Sequence, residues 1–133
     1  MKNLEEANKI IQKAFNFHSQ GNIKEATKYY QYYIDKGFKN YRVFSNYGVI
    51  LKDIGKLKEA EVSTRKAIQL NPGLADAHLN LGVILKDIGK LKEAEVSTRK
   101  AIQLNPDLAN AHLNLGVILK DIGKLKEAEV STR

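Results

Sequence analysis

The sequence predicts an all-α fold, a right-handed α-solenoid of helix-turn-helix hairpins with about eight helices. Three observations predict it. Residues 48–81 recur as residues 82–115 with only two changes, Gly73 to Asp107 and Asp76 to Asn110, and residues 116–133 then reproduce 82–99 without a difference. Gly21, Gly55, Gly89 and Gly123 stand 34 residues apart, each followed by a short spacer and Lys-Glu-Ala. Between these markers apolar residues recur every three or four positions, which gathers them on one helical face.

Setting the four glycines at column 15 divides a single domain, 1–133, into units 7–40, 41–74, 75–108 and an incomplete 109–133. In the third unit Ala77, Leu81, Ile84, Leu85 and Ile88 form the stripe of a first helix, A. Gly89 is expected to end it, because glycine takes the left-handed conformation without a Cβ penalty. Leu91, Ala94, Thr98, Ala101 and Ile102 form the stripe of helix B. Asn105-Pro106 stops that helix, since proline lacks an amide hydrogen and disfavours helical geometry in the residue before it. Asp107 is expected to cap the next helix A. One such hairpin cannot bury both of its apolar faces, so the units must stack.

Composition narrows the function classes. With 43% apolar and 28% charged residues the chain has an ordinary globular balance, and it contains no run of 18 apolar residues for a membrane span. The amino terminus carries acids and leads into an amphipathic pattern, so cytoplasmic residence is expected. There is no cysteine, and the three histidines come without convergent carboxylate motifs; no metal and no cofactor are expected. No serine lies at a suggestive spacing from histidine and acid, and no glycine-rich phosphate loop occurs, so the chain is not expected to be an enzyme. Of the net charge of +7, residues 1–74 hold +6, interspersed with acids. That pattern describes a solvated surface, and nucleic acid is not the expected partner.

The third unit reads His78-Leu79-Asn80-Leu81-Gly82-Val83-Ile84-Leu85, then Ala94, Thr98, Ala101 and Pro106. With its period of 34 this resembles the tetratricopeptide repeat family, whose pattern expects Leu-Gly, the two alanines and the proline at these columns. His78, Leu85 and Thr98 depart from that pattern, and in the first unit Lys13-Ala14 and Tyr33 depart further. His78 and His112 stand where the family buries a large side chain, so a packed or hydrogen-bonded role is expected for both.

The resemblance implies a protein–protein interaction scaffold in which the A helices line a concave groove for a peptide, with columns 2, 5, 6, 9, 12 and 13 facing it. Column 6 holds Gln12, Asn46, Asn80 and Asn114, side-chain amides that can donate to and accept from a peptide backbone. Asn46 is the one residue of 41–47 shared with 75–81, so it outlasts the divergence around it. The ladder is similar to that in the repeat arm of O-linked N-acetylglucosamine transferases; inheritance by duplication or bonding between repeats is the competing account. Val49, Val83 and Val117, with Ile11, Phe15, Leu79 and Leu113, would add apolar contact. Lys52, Lys86 and Lys120 join the candidate peptide-binding set, although each precedes an aspartate and salt bridges between units are the simpler expectation. A carboxylate clamp for acidic chaperone tails would need lysine, asparagine, asparagine and two basic residues where this chain has Ile11, Phe15, Asn46, Asp76 and Asn80; one of five fits, which argues against it.

All ten aromatic residues fall between Phe15 and Tyr47. Tyr30 and Tyr33 are expected in the core, whereas Tyr29 and Tyr32 should reach the outer edge, where they form a candidate docking interface. Arg133 falls inside helix B of the fourth unit without a stop signal. Continuation into further repeats or a transferase domain, or pairing with a second copy as a homodimer or head-to-tail stack, are the expectations there.

Overall fold

The computed structural model describes residues 3–131, and among them it forms seven α-helices and no strand. They are α1 (Leu4–Ser19), α2 (Ile23–Asp35), α3 (Tyr41–Asp53), α4 (Leu57–Leu70), α5 (Ala75–Ile88), α6 (Leu91–Leu104) and α7 (Ala109–Ser131). The first six pair as α1/α2, α3/α4 and α5/α6, each A helix against its own B helix, and each pair packs on the next. Met1, Lys2, Thr132 and Arg133 lie outside the described residues, so the expectation placed on Arg133 does too.

Local chemistry sets the helix limits. The side chains of Asn3, Asn22 and Asn40 accept hydrogen bonds from first-turn amides of α1, α2 and α3, at 3.0 Å to Glu5, 3.4 Å to Glu25 and 2.9 Å to Arg42. Gly21, Gly55 and Gly89 follow the A helices with φ of 78°, 84° and 100°, the region that favours glycine. Asn105-Pro106 ends α6 at Leu104 as expected, but Asp107 is not the cap of α7. The helix starts at Ala109, one residue later than a cap at 107 requires, and the Asp107 amide instead donates to Asn105 Oδ1 at 3.2 Å.

The hairpins close on small residues. Ala60 and Ala94 are fully buried, and a Cβ added at Gly82 would run into Thr98 Oγ1 and lie 3.3 Å from the Ala94 carbonyl. Column 8 is therefore glycine because column 24 of the facing helix leaves no room for more. The first hairpin solves the same contact with Ala14 against a fully buried Tyr30, in a cluster with Ile10, Ala26, Tyr33 and Phe38. Tyr30 and Tyr33 thus take the core positions expected of them, and burial pushes both phenol pKa values above 10.0.

The fourth unit differs from expectation. α7 passes through Gly123 as a continuous helix, so the described chain has seven helices where eight were expected. In the third unit α6 is held against α5 and against α7, and Leu85 and Ala94 are fully buried. Their counterparts Leu119 and Ala128 are exposed. Without that burial the turn gains nothing over helix, where every added residue contributes an internal hydrogen bond.

Candidate functional site: the face lined by the A helices

Side chains of successive A helices meet between α1, α3 and α5 and again between α3, α5 and α7. Two cavities open there. The first, of about 390 Å³, is lined by Lys52 of α3, Leu79, Asn80 and Val83 of α5, and Asn110, Leu113, Asn114 and Val117 of α7. All are column 2, 5, 6, 9 or 12 positions, so columns 34 residues apart in sequence converge in space. The second, of about 440 Å³, lies one repeat earlier and is lined by Phe15 of α1, Tyr41, Arg42, Ser45 and Asn46 of α3, and Asp76 and Ala77 of α5. The Arg42 guanidinium stands 6.0 Å from the Phe15 ring centre, within cation–π range.

The structure separates the remaining candidates. Gln12 is exposed and borders a third cavity with Glu5, Asn8, Lys9 and Lys13, apart from the other amides. Val49, Lys86 and Lys120 line none of these three cavities. Lys52 reaches Asp53 at 4.0 Å, a contact within one unit; the inter-unit bridges expected at these columns do not form among the described residues. The pair that does cross between repeats is Lys90 to Glu61, at 3.8 Å.

Two of the column 6 amides are tied to the preceding helix B. Asn46 Nδ2 donates to Tyr30 Oη at 3.3 Å, and Asn114 Nδ2 donates to Thr98 Oγ1 at 3.1 Å. Both acceptors stand at column 24 of the unit before. Asn114 is buried, Asn46 and Asn80 are half-buried, and the Thr64 hydroxyl facing Asn80's unit has no partner. Bonding between repeats is therefore present at two rungs. Each bond uses one N–H, leaving a second N–H and the carbonyl oxygen of the amide.

His18 Nδ1 shares the Tyr30 hydroxyl at 2.8 Å. His78 and His112 bond through Nε2 to the carbonyls of Pro72 and Pro106, at 2.9 and 2.8 Å, which is the hydrogen-bonded role expected of them. On the outer surface Tyr29 stacks on Phe17 with centroids 5.6 Å apart, and Lys13 lies over its ring. Tyr32 is exposed but sits under the ammonium of Lys36, whose pKa is raised chiefly by its hydrogen bond to Glu6.

Arg42, Asp76 and Asn110 of column 2 line the two groove cavities too, although the sequence singles out only the column and not these residues for peptide contact. Sequence reasoning also missed a cavity of about 910 Å³, where Ile34 of α2 faces Phe44, Tyr47 and Leu51 of α3 and Val62 of α4. The columns that line it recur one repeat on, where Ile68, His78, Leu81 and Val96 border a second cavity of about 440 Å³, with smaller side chains in place of Phe44 and Tyr47.

Comparison with known proteins gives the class. Models of the tetratricopeptide repeat match residues 41–74, 75–108 and 98–130, and the chain belongs to that family. Among solved structures it is similar to the first tetratricopeptide repeat domain of Spaghetti (RPAP3) bound to the HSP90 peptide SRMEEVD, with a TM-score of 0.82 and 23% identity over 90% of this chain and 94% of that one. The Arabidopsis OM64 domain matches at TM-score 0.82 and 20% identity, covering 90% and 98%. A mutant O-GlcNAc transferase of Thermobaculum terrenum matches at TM-score 0.77 and 24% identity, over 90% of this chain but 23% of that enzyme. The second domain of human RPAP3, in complex with the HSP70 peptide SGPTIEEVD, matches at TM-score 0.76 and 25% identity over 84% and 93%. No protein with a curated description matches the sequence significantly.

Proposed function

We propose that this chain is a cytoplasmic binding scaffold that holds an extended peptide along the face lined by α1, α3, α5 and α7, gripping its backbone through the column 6 amides. The observation that carries the reading is the cavity in which Asn80 and Asn114 meet Leu113, Val83 and Val117, pairing amides with apolar side chains. The inward bonds of Asn46 and Asn114 support it as well, since an amide already held in place loses less entropy when a ligand arrives. Stacked helices lie about 8–10 Å apart and an extended chain advances about 3.3–3.6 Å per residue, so each rung meets about every third ligand residue. Recognition would then tolerate many sequences.

Similar structures in complex with HSP90 and HSP70 peptides support peptide binding in general. The clamp positions here are Ile11, Phe15, Asn46, Asp76 and Asn80, and an aspartate among them disfavours an acidic tail, so we assign a neutral backbone-read segment. No catalytic step is assigned. Panning a peptide library against the chain should return binders, and Asn80→Ala should weaken them about 3- to 10-fold, the loss of one or two net hydrogen bonds. Asn80 has no bond to the Thr64 hydroxyl, so its removal leaves thermal stability intact, and unchanged peptide affinity in that variant would sink the proposal.

A further inference from the structure

α7 carries two apolar half-surfaces that elsewhere in the chain exist only as a closed pair. Gly116 has nothing within 4 Å of an added Cβ, whereas Gly82 is crowded by Thr98 and Ala94. Leu119 is 42% exposed where Leu85 is fully buried, and Leu125 is 61% exposed. Ala128 is exposed where Ala94 is fully buried. The third unit identifies the covering segment, because Gly82 and Leu85 are covered by α6, whose first residues 91–99 are identical to residues 125–133. In α7 residues 125–131 instead continue along the same helix that needs them.

We infer that two copies of this chain exchange the carboxyl-terminal half of α7, so that the segment from Leu125 to Ala128 of one copy packs on the Gly116 and Leu119 face of the other. The occupant of that face is a second copy. Each copy offers both halves, so an antiparallel pair of α7 helices crossing near Gly123 closes with two-fold symmetry and satisfies both surfaces at once. Each half then repeats the contact made between α5 and α6, including the close approach that column 8 glycine permits. Residues 123–124 act as the hinge, turned in the copy at 89–90 and helical here. This rests on the Gly116, Leu119 and Ala128 face of α7 and not on Asn114 and Val117 of the same helix, which line the groove.

The chain contains no cysteine, which makes site-specific crosslinking clean. Leu119→Cys and Ala128→Cys are prepared as separate variants, mixed, and treated with a short bismaleimide. The expected result is a covalent species of twice the 15.0 kDa chain mass that depends on having both variants in the mixture. Light scattering of the unmodified chain should show the mass doubling with concentration. Leu119→Arg, at a surface position, should return the mass to one chain while its circular dichroism stays helical. A double variant that crosslinks within one chain would mean that α7 folds back on itself as a closed hairpin, which overturns the exchange. Persistence of the dimer in Leu119→Arg, or a single-chain mass at every concentration tested, overturns it equally.

Discussion

Residues 82–99 and 116–133 are the same amino acids in the same order, yet the first stretch turns at Gly89 and the second runs straight through Gly123. Local propensity is equal in the two, so it cannot be what decides. Leu85 loses all contact with water and Leu119 keeps 42% of its surface. Burying a leucine completely contributes about 1.5–3 kcal/mol, so this residue alone favours the closed form by roughly 1 kcal/mol where a partner helix is available. Gly123 within a helix costs about 1 kcal/mol against alanine, a penalty that the extra backbone hydrogen bonds offset. The turn is therefore a property of the stack, and the glycine only permits it.

The largest expected effect that tests this difference comes from column 8. Gly82→Ala places a methyl group against Thr98 Oγ1 and the Ala94 carbonyl, and it should lower stability by about 1–3 kcal/mol in urea unfolding. Gly116→Ala meets open space within a helix and should be neutral or stabilising by up to ~1 kcal/mol in the single chain. Equal losses at both positions would mean that the fourth unit closes as the third does.

Column 15 should show a smaller contrast of the same kind. Gly89 holds φ at 100°, and alanine there costs about 1–2 kcal/mol because its Cβ meets the following carbonyl. Gly123→Ala should instead raise helicity and stability by up to ~1 kcal/mol, since that residue lies in α7. Destabilisation by Gly123→Ala, read from the thermal midpoint, would place a left-handed turn at that position after all.

These contrasts also explain what could be read from sequence. The period of 34, the glycines at 21, 55 and 89 and the Asn-Pro stop were legible because each acts on its own neighbours within a few residues. Asn80 and Asn114 share a cavity with Val83 and Val117 because helical spacing projects one column onto one side, whereas Gln12 stands apart and Val49 lines none of the groove cavities. What was not legible depends on a second segment. The absent turn at Gly123 depends on whether a helix covers Leu119, and the bonds from Asn46 to Tyr30 and from Asn114 to Thr98 depend on how far one hairpin sits from the next. Lys52, Lys86 and Lys120 looked like inter-unit partners by charge alternation, but the crossing pair that forms comes from Lys90 and Glu61 at other columns.

A second identical pair gives the smallest effect and the finest test. Helices α4 and α6 have the same sequence, but Thr98 accepts from Asn114 while the buried Thr64 hydroxyl has no partner. Thr98→Val leaves the buried Asn114 amide short of an acceptor and should cost about 1 kcal/mol. Thr64→Val removes a hydroxyl that is already desolvated without compensation, so it should be neutral or stabilising by up to about 1 kcal/mol. The difference between the two variants, measured by the urea midpoint at constant slope, isolates the inter-repeat bond from everything the two helices share. Identical losses would show that Asn80 does reach Thr64 in solution, and the rung left free for a peptide in the groove would then be engaged like its neighbours.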